Sequence, residues 1–292
     1  MRSAFTSAGR ARTLLSDKTH RRIHKLVNAC VTAVANFATW GMVARRDRVR
    51  RQYLDLMERC LAGVIYEDAP LQDLGKTEYD PQLREYGWDW PSVAHTMIGS
   101  RRLHNLRTLL EQVIENRVPG DVIETGVWRG GACIMMRAVL EAYAVRNRRV
   151  WVADSFEGVP PPKPEFYPAD VNEKFHEYAA LSVPVEQVKR NFSRYGLLDD
   201  QVVFLKGWFH DTLPTAPIER LALLRLDGDL YESTIVALRS LYDKLSINGY
   251  VIVDDYRVVP ACKQAVDDFC AERRIAPEIV EIDGVGVYWR KT

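Results

Sequence analysis

The chain has 292 residues, of which 47% are apolar and 27% are charged, with 17 Gly and 14 Pro. This length and composition exclude a disordered, collagenous or coiled-coil protein and indicate one large globular domain or two smaller ones. The five cysteines form no Cys-x-x-Cys motif, which disfavours a disulfide-stapled secreted domain or a zinc ribbon. A reducing compartment, the cytoplasm, is therefore expected.

The net charge is only +1, but the N-terminal arm, residues 1–52, is strongly basic. It contains twelve Lys or Arg residues and only two acids, Asp17 and Asp47. Residues 26–44 are uncharged and lie between basic clusters that extend over 21–51, which predicts a helix. We interpret it as an amphipathic helix that packs on the domain or on a second subunit, so that a homo-oligomer is expected. A helix lying on an anionic membrane surface is the alternative. Specific nucleic-acid binding is not expected, because no recognition module accompanies the charge.

Helical periodicity dominates the next part of the chain. Apolar residues recur at helical spacing over 53–66 and 101–117, which predicts two helices before the first strand. The domains are then expected to be the arm 1–52, a helical cap or acceptor region 53–120 and an α/β core 121–292.

Short runs rich in Val, Ile and Leu alternate with helical segments through the rest of the chain. This alternation is typical of a parallel sheet that is covered by helices on both faces. The last two runs, 278–282 and 285–289, predict a hairpin at one edge of the sheet. The other predicted strands are 122–127, 150–156, 202–209, 221–230 and 250–256, and the intervening helices are predicted to reach residues 144, 195 and 245 and to cover 261–273.

Acidic or glycine residues follow these strands at their carboxyl ends, where parallel sheets bind ligands. The first strand leads into Glu124 and Gly126, and the second ends at Asp154, whose carboxylate could accept both hydroxyls of a ribose. Trp128 occupies the place of the second glycine of the dinucleotide motif G-x-G-x-x-G, and a carboxylate at 124 would repel phosphate but suits an ammonium group. The pattern favours S-adenosylmethionine over a nicotinamide dinucleotide. A structural turn with Asp154 as a helix cap is the alternative.

Three carboxylates end two further strands: Asp227 on the fourth, and Asp254 and Asp255 on the fifth. Because neighbouring parallel strands end about 5 Å apart, these groups are expected to converge. They would repel one another without a cation, and Mg²⁺ takes oxygen ligands of this kind. Helix caps and exposed acids are the alternative interpretation. Asp229 is expected to face the same cavity, either as a general base or in a supporting or capping role.

Several motifs resemble the macrocin O-methyltransferase family, whose members include sugar methylases of antibiotic pathways. The resemblance covers about residues 50–290 and leaves the basic arm without a counterpart. The motifs are YGWDWPSVAHTMIG at 86–99, ETGVWRGG at 124–131, VADSFEGVPPP at 152–162, GWFHDTLP at 207–214, LRLDGDLYEST at 224–234 and GYVIVDDY at 249–256.

The resemblance implies a class I methyltransferase fold, with a seven-stranded, mostly parallel Rossmann-like sheet, helices on both faces and an N-terminal helical extension. It also implies an enzyme with S-adenosylmethionine as methyl donor and Mg²⁺ as cofactor. The family's metal ligands fall on Asp227, Asp254 and Asp255, and its general base falls on Asp229. The implied donor-binding residues are Thr96, Met97 and Ile98, then Glu124 and Gly126 near the methionine end, Asp154 and Ser155 at the ribose, and Gly207 and Trp208 near the adenine.

We therefore expect Mg²⁺-dependent methyl transfer to a hydroxyl of a sugar, in a glycosylated natural product or a glycolipid. A phenol or catechol acceptor is the alternative within the methyltransferases, and a membrane-associated adaptor built around the arm is the non-enzymatic alternative. The proline-rich segment 158–170 is expected to cover the cavity in part or to be a rigid surface connection. Trp88 and Trp90 are expected to line the acceptor pocket or to belong to the core.

Overall fold

The computed structural model describes Lys25, residues 45–71 and residues 77–292. The helix predicted at 26–44, which carries the expected membrane or subunit contact, lies outside these residues. The chain divides into two compact units, Met1–Gln52 and Tyr53–Thr292. Residues 45–52 of the first unit are helical. No helix of the described part of the chain is long and apolar enough to cross a membrane.

The second unit alternates helices and strands. Its helices are α1 (53–61), α2 (Pro81–Tyr86), α3 (Gly99–Glu115), α4 (Gly131–Ala142), α5 (Val185–Arg194), α6 (Phe209–Thr212), α7 (Tyr231–Leu241) and α8 (Pro260–Arg273). Its strands are β1 (Asp121–Thr125), β2 (Val150–Asp154), β3 (Val202–Lys206), β4 (Leu221–Leu226), β5 (Leu245–Val253), β6 (Val280–Glu281) and β7 (Val287–Arg290). Short 3₁₀ helices cover Pro168–Asp170, Phe175–Glu177, Ala179–Leu181 and Tyr242–Lys244.

The strands form one seven-stranded sheet in the order β3-β2-β1-β4-β5-β7-β6. Strands β1 to β5 are parallel, whereas β7 runs antiparallel to both β5 and β6. The predicted class I methyltransferase fold is thereby confirmed, and so is the hairpin at one edge of the sheet.

Alternate residues of the central strand pack on opposite faces of the sheet. Leu223 of β4 belongs to a core cluster with Leu106 of α3 and Met135 of α4. Its neighbour Leu224 belongs to a second cluster with Leu238 of α7 and Phe269 of α8. Because β4 is buried on both faces, its sequence LALLRL is a nearly continuous apolar run, and the arginine within it stands out.

The direction of the strand order reverses between β1 and β4. The chain proceeds from β1 to β2 and β3 on one side and from β4 to β5 on the other, so a crevice forms beyond the carboxyl ends of β1 and β4. The loops after these strands touch at Gly126, where φ is +87° and a Cβ atom would lie 1.6 Å from the carbonyl oxygen of Asp227. Glycine is required there both by the backbone conformation and by this close approach.

Several predicted strands extend beyond their observed ends, and helices α2 and α6 are missing from the sequence-based description. The strands predicted at 202–209 and 221–230 end at Lys206 and Leu226, because α6 and α7 follow after short loops. Asp227 and Asp229, which were placed on the fourth predicted strand, therefore lie on the loop between β4 and α7, whereas Glu124 and Asp154 belong to β1 and β2. Helix α2 was not predicted, although Asp80 caps it by accepting hydrogen bonds from the N–H groups of Gln82 and Leu83 at 2.8 and 3.1 Å.

Candidate active site

A cavity of about 450 Å³ opens beyond the carboxyl ends of strands β1 to β5. Its wall contains all but one of the predicted site residues, the exception being Gly207, which directly precedes the lining residue Trp208. The predicted donor-binding residues and the predicted metal ligands therefore share one cavity. The predicted residues in the wall are Thr96, Met97, Ile98, Glu124, Gly126, Asp154, Ser155, Trp208, Asp227, Asp229, Asp254 and Asp255.

Four acids, Asp227, Asp229, Asp254 and Asp255, form what we call the acid cluster. Carboxylate oxygens of Asp227, Asp254 and Asp255 lie within 4.8 Å of one another, as the strand order predicts. The Oδ2 atom of Asp255 is buried and has no hydrogen-bond partner among the described residues. A buried carboxylate oxygen without a partner is costly, and a hard cation with oxygen ligands would satisfy it. The residues present thus fit a magnesium ion.

Arg225 is the principal site residue that the sequence reasoning missed. It is the penultimate residue of β4, and its side chain is 1% exposed. The guanidinium donates to Oε1 of Glu124 at 2.5 Å, to Oδ2 of Asp227 at 2.7 Å and to Oδ1 of Asp254. An arginine within an apolar strand was the available signal, because a buried charge requires partners of opposite charge.

Arg102 is a second buried arginine at the acid cluster, and it reaches the cluster from α3. Its guanidinium donates to Oδ2 of Asp254, to Oδ2 of Asp283 at 3.0 Å and to the carbonyl oxygen of Tyr86 at 3.1 Å. Both oxygens of Asp254 are therefore held by guanidinium groups, one from β4 and one from α3. Arg102 and Asp254 are 152 positions apart in the sequence, so no local sequence pattern predicts their pairing.

Burial and mutual repulsion raise the pKa of several acids around the cluster. Burial, followed by the charge of Asp254, raises the pKa of Asp227 to about 6, and burial followed by the charge of Asp227 raises that of Asp229 to about 8. The pKa of Asp255 is raised well above its ordinary value by burial and by the charges of the other three acids of the cluster. A divalent cation would favour the charged carboxylates and so oppose these shifts.

Asp229 lies in a tight turn between β4 and α7. Its φ is +58°, the left-handed conformation that non-glycine residues rarely adopt, and the N–H of Leu230 donates to the carbonyl of Gly228 at 2.6 Å. A strained backbone of this kind persists only where the surrounding structure holds it, and it is common at functional sites. The strain and the cavity position together support a functional role for this acid.

Asp154, the acid at the end of β2, is engaged with backbone rather than with side-chain cations. Its Oδ2 accepts a hydrogen bond from the N–H of Val127 at 2.7 Å, and its Oδ1 accepts one from the N–H of Phe156 at 2.6 Å. The carboxylate thus fixes the loops that follow both β1 and β2. Each oxygen can accept more than one hydrogen bond, so the expected contact with a ribose stays open to it.

Glu124 is buried at the end of β1 and is satisfied on both oxygens. Arg225 donates to Oε1, and the Cys133 thiol of α4 donates to Oε2 at 2.9 Å. Burial raises the pKa of Glu124 to about 7, although the Arg225 charge opposes the shift. The contact between Glu124 and the ammonium group of a ligand remains a prediction. Arg225 already pairs with the Glu124 carboxylate.

A family model described as macrocin O-methyltransferase (TylF) matches residues 50–291. The chain belongs to the macrocin O-methyltransferase family. It is therefore an O-methyltransferase, and S-adenosylmethionine is the methyl donor that the family implies.

Individual proteins are similar to this methyltransferase over most of their length. Demethyldecarbamoylnovobiocin O-methyltransferase of Streptomyces niveus is 55% identical over 244 residues, which cover 82% of this chain and 93% of that protein. The 8-demethyl-8-(2,3-dimethoxy-alpha-L-rhamnosyl)-tetracenomycin-C 4'-O-methyltransferase of Streptomyces olivaceus is 55% identical over 250 residues, covering 84% and 95%. The solved structure of the O-methyltransferase NovP matches with a TM-score of 0.80 at 55% identity, covering 83% of this chain and 99% of that one.

A cover segment, residues 158–182, closes part of the cavity of this O-methyltransferase. Gly158, Val159 and Pro160 at its start line the cavity. Further along, the carboxylate of Asp170 accepts hydrogen bonds from the first two N–H groups of α7, at 2.7 and 3.0 Å. Near its end, the indole N–H of Trp128 donates to the carbonyl of Ala180 at 2.8 Å. The segment is thus fastened to the loop after β1 and to the N-terminus of α7.

Aromatic residues form another part of the cavity wall in this methyltransferase. Trp88 and Trp90 both line the cavity, and the Trp88 side chain is 55% exposed. The sequence left two positions open for Trp88, the acceptor pocket and the core. A core position is inconsistent with so exposed a side chain. Its ring contacts that of Tyr86, with centroids 5.1 Å apart.

Proposed function

We propose that this methyltransferase transfers the methyl group of S-adenosylmethionine, in the presence of Mg²⁺, to a hydroxyl group of a sugar in a glycosylated small molecule. The observation that carries the proposal is the convergence of Asp227, Asp254 and Asp255 within 4.8 Å, in the same cavity wall as the residues expected to bind the donor. The orphaned Oδ2 of Asp255 supports a cation at this place.

Asp227, Asp254 and Asp255 would hold the ion. Bound Mg²⁺ would supply a Lewis acid toward the acceptor hydroxyl and so make its proton easier to remove. Arg225 and Arg102 fix the carboxylates of Asp227 and Asp254, which keeps the ligand set organised before a substrate arrives.

Asp229 would accept the proton of the acceptor hydroxyl. The hydroxyl oxygen forms a bond to the methyl carbon while the bond from that carbon to sulfur breaks, and the sulfonium leaves as the neutral thioether of S-adenosylhomocysteine. Because positive charge disappears at sulfur, a cavity that excludes water favours the transition state. The cover segment, fastened at Ala180 and Asp170, supplies that exclusion. Positioning of the two substrates would provide much of the remaining acceleration.

A sugar acceptor is supported by the wall and by the relatives. Trp88 and Trp90 offer aromatic faces to the cavity, and such faces suit the apolar side of a sugar ring. The name of the Streptomyces olivaceus relative specifies an acceptor that carries a rhamnosyl group. A second relative, of Micromonospora griseorubida, is 51% identical and is named mycinamicin III 3''-O-methyltransferase.

The proposal is tested by incubating the full chain with S-adenosylmethionine and either demethyldecarbamoylnovobiocin or catechol, after removal of divalent metal with EDTA. We expect the glycoside to gain a methyl group only when Mg²⁺ is restored, as read by mass spectrometry. Unchanged turnover in EDTA would overturn the metal assignment. Methylation of catechol with no methylation of the glycoside would overturn the sugar assignment.

A further inference from the structure

Glu232 is a buried acid in the cavity wall that neither the sequence analysis nor the proposed mechanism uses. It is the second residue of α7, and it is 5% exposed. Its Oε1 lies 3.3 Å from Nδ1 of His210 and 3.4 Å from Nζ of Lys163. Its Oε2 is buried and has no hydrogen-bond partner within the described ranges.

The position of Glu232 in a first helical turn does not account for this carboxylate. An acid there would ordinarily face the free N–H groups at the helix N-terminus. The N–H groups of Tyr231 and Glu232 instead donate to the carboxylate of Asp170 in the cover segment. Lys163 and His210 both contact Oε1. Oε2 therefore lacks a donor that a molecule in the cavity would supply, since buried polar atoms in proteins are nearly always paired.

The neighbours of Glu232 locate it at the nucleoside side of the crevice. His210 belongs to α6, which follows β3, and Lys163 belongs to the cover segment, which follows β2. The acid cluster lies beyond β4 and β5, and β1 and β2 separate β4 from β3 in the sheet. Glu232 itself is the second residue of α7, three residues after Asp229, and its contacts with His210 and Lys163 direct its carboxylate toward the loops that follow β2 and β3.

We propose that Glu232 recognises the exocyclic amino group of the adenine of the methyl donor, an inference that rests on the proposed use of S-adenosylmethionine. An N–H of that amino group would donate to Oε2, the buried oxygen that lacks a partner. A deaminated purine carries a carbonyl oxygen at the same position, and a carboxylate would repel it. Glu232 is thus a specificity-determining residue for the donor, and His210 and Lys163 hold its other oxygen in place.

The experiment compares two ligands that differ at this group and at the adjoining N1, which carries a hydrogen in the deaminated purine. S-adenosylhomocysteine and S-inosylhomocysteine are titrated by calorimetry into the wild-type protein, Glu232→Gln and the matched control Glu219→Gln, with no metal or acceptor present. Glu219 is an exposed acid outside the cavity wall. We expect the wild type and the control to prefer S-adenosylhomocysteine by about tenfold or more. Glu232→Gln should reduce this preference to about threefold or reverse it, because an amide can donate to the purine carbonyl.

A preference that Glu232→Gln leaves unchanged, with affinity for both ligands reduced equally, would overturn the proposal and assign the residue to packing. The same holds if the variant raises KM for the glycoside while the ligand preference stays at the wild-type value. Failure of the wild type to bind either ligand would overturn the donor assignment of the proposed function, and this inference with it. Should Glu232→Gln fail to fold, Glu232→Asp retains the charge toward His210 and shortens the reach of the carboxylate, and the same loss of preference is expected.

Discussion

Asp154 and Asp254, two acids of the crevice, have their carboxylates satisfied in different ways. Asp154, at the end of β2, receives backbone N–H groups from both neighbouring loops and so shapes the nucleoside side. Asp254, beyond β5, is held by two guanidinium groups, and the adjacent Asp255 retains a buried oxygen with no partner in the described part of the chain. A carboxylate that is satisfied by backbone builds a loop, whereas a cluster that remains overcharged requires a ligand. The residue type is the same, and the source of the hydrogen-bond donors decides its role.

The largest expected effect comes from removing the buried cation that supports the acid cluster. Arg225→Met leaves Glu124, Asp227 and Asp254 without the guanidinium that pairs with them, and it should lower the free energy of unfolding by about 3–5 kcal/mol. Denaturant unfolding measures this change. Arg220→Met, at an exposed arginine, should shift it by no more than about 0.5 kcal/mol. Equal effects of the two substitutions would mean that the buried network adds nothing to stability.

The second-largest expected effect distinguishes the function of the acid cluster from that of the nucleoside side. Asp254→Asn retains the size of the side chain but removes a proposed metal ligand, and kcat/KM for methyl transfer should fall about 100-fold, a loss of about 3 kcal/mol of transition-state stabilisation. Affinity for S-adenosylhomocysteine should change by no more than about threefold, since that ligand is expected at the nucleoside side. Asp200→Asn, at an exposed acid, serves as the control. A parallel loss of turnover and donor affinity would contradict the division into two sides.

A substitution at the nucleoside side should instead weaken binding of the methyl donor. Asp154→Asn replaces one accepting oxygen by an amide nitrogen, so that a backbone N–H of Val127 or Phe156 loses its charge-assisted partner. Affinity for S-adenosylhomocysteine should fall about tenfold, corresponding to about 1.4 kcal/mol. Mn²⁺ binding, followed by electron paramagnetic resonance, should match that of the wild type. Weakened metal binding with intact donor affinity would reverse the assignment of the two sides.

The smallest expected effect is a pH dependence of the free energy of unfolding, which arises from His95. His95 lies against the start of α4, where its carbonyl accepts the N–H of Gly131, and burial followed by the charge of Arg194 lowers its pKa from 6.5 to about 4. Between these values the unfolded chain binds a proton that the folded protein does not. The contribution of His95 to the free energy of unfolding is therefore fully present above pH 6.5. It decreases by on the order of 1 kcal/mol as the pH falls toward 4. His95→Gln should flatten this part of the stability profile, and an unaltered slope would assign it to other groups.

The sequence predicts the fold and the convergence of the acids because both follow from local patterns. Apolar runs separated by helical segments specify the parallel sheet, and strand ends in such a sheet meet at one edge. Asp227, Asp254 and Asp255 follow two adjacent strands, so their proximity needs no knowledge of side-chain packing. The family resemblance added the loop Thr96–Ile98 as an expected donor-binding segment, which no strand end would have revealed.

The partners of these acids could not be predicted in the same way. Arg102 meets Asp254 only because α3 packs on the sheet near β5, and Glu232 meets His210 only because α6 and α7 lie side by side. Such contacts depend on the three-dimensional packing of helices, whose register a single sequence does not display. Strand ends were misjudged for a related reason: Trp208 and Phe209 after β3, and Leu230 after β4, resemble strand residues, although helices begin near them after short loops.

The close approach at Gly126 has a mechanical consequence. The loop that is expected to receive the donor and the loop that carries Asp227 meet without a side chain between them, since even a methyl group would overlap the Asp227 carbonyl. The backbones of these two loops are therefore in direct contact, and neither loop can move toward the other without displacing it.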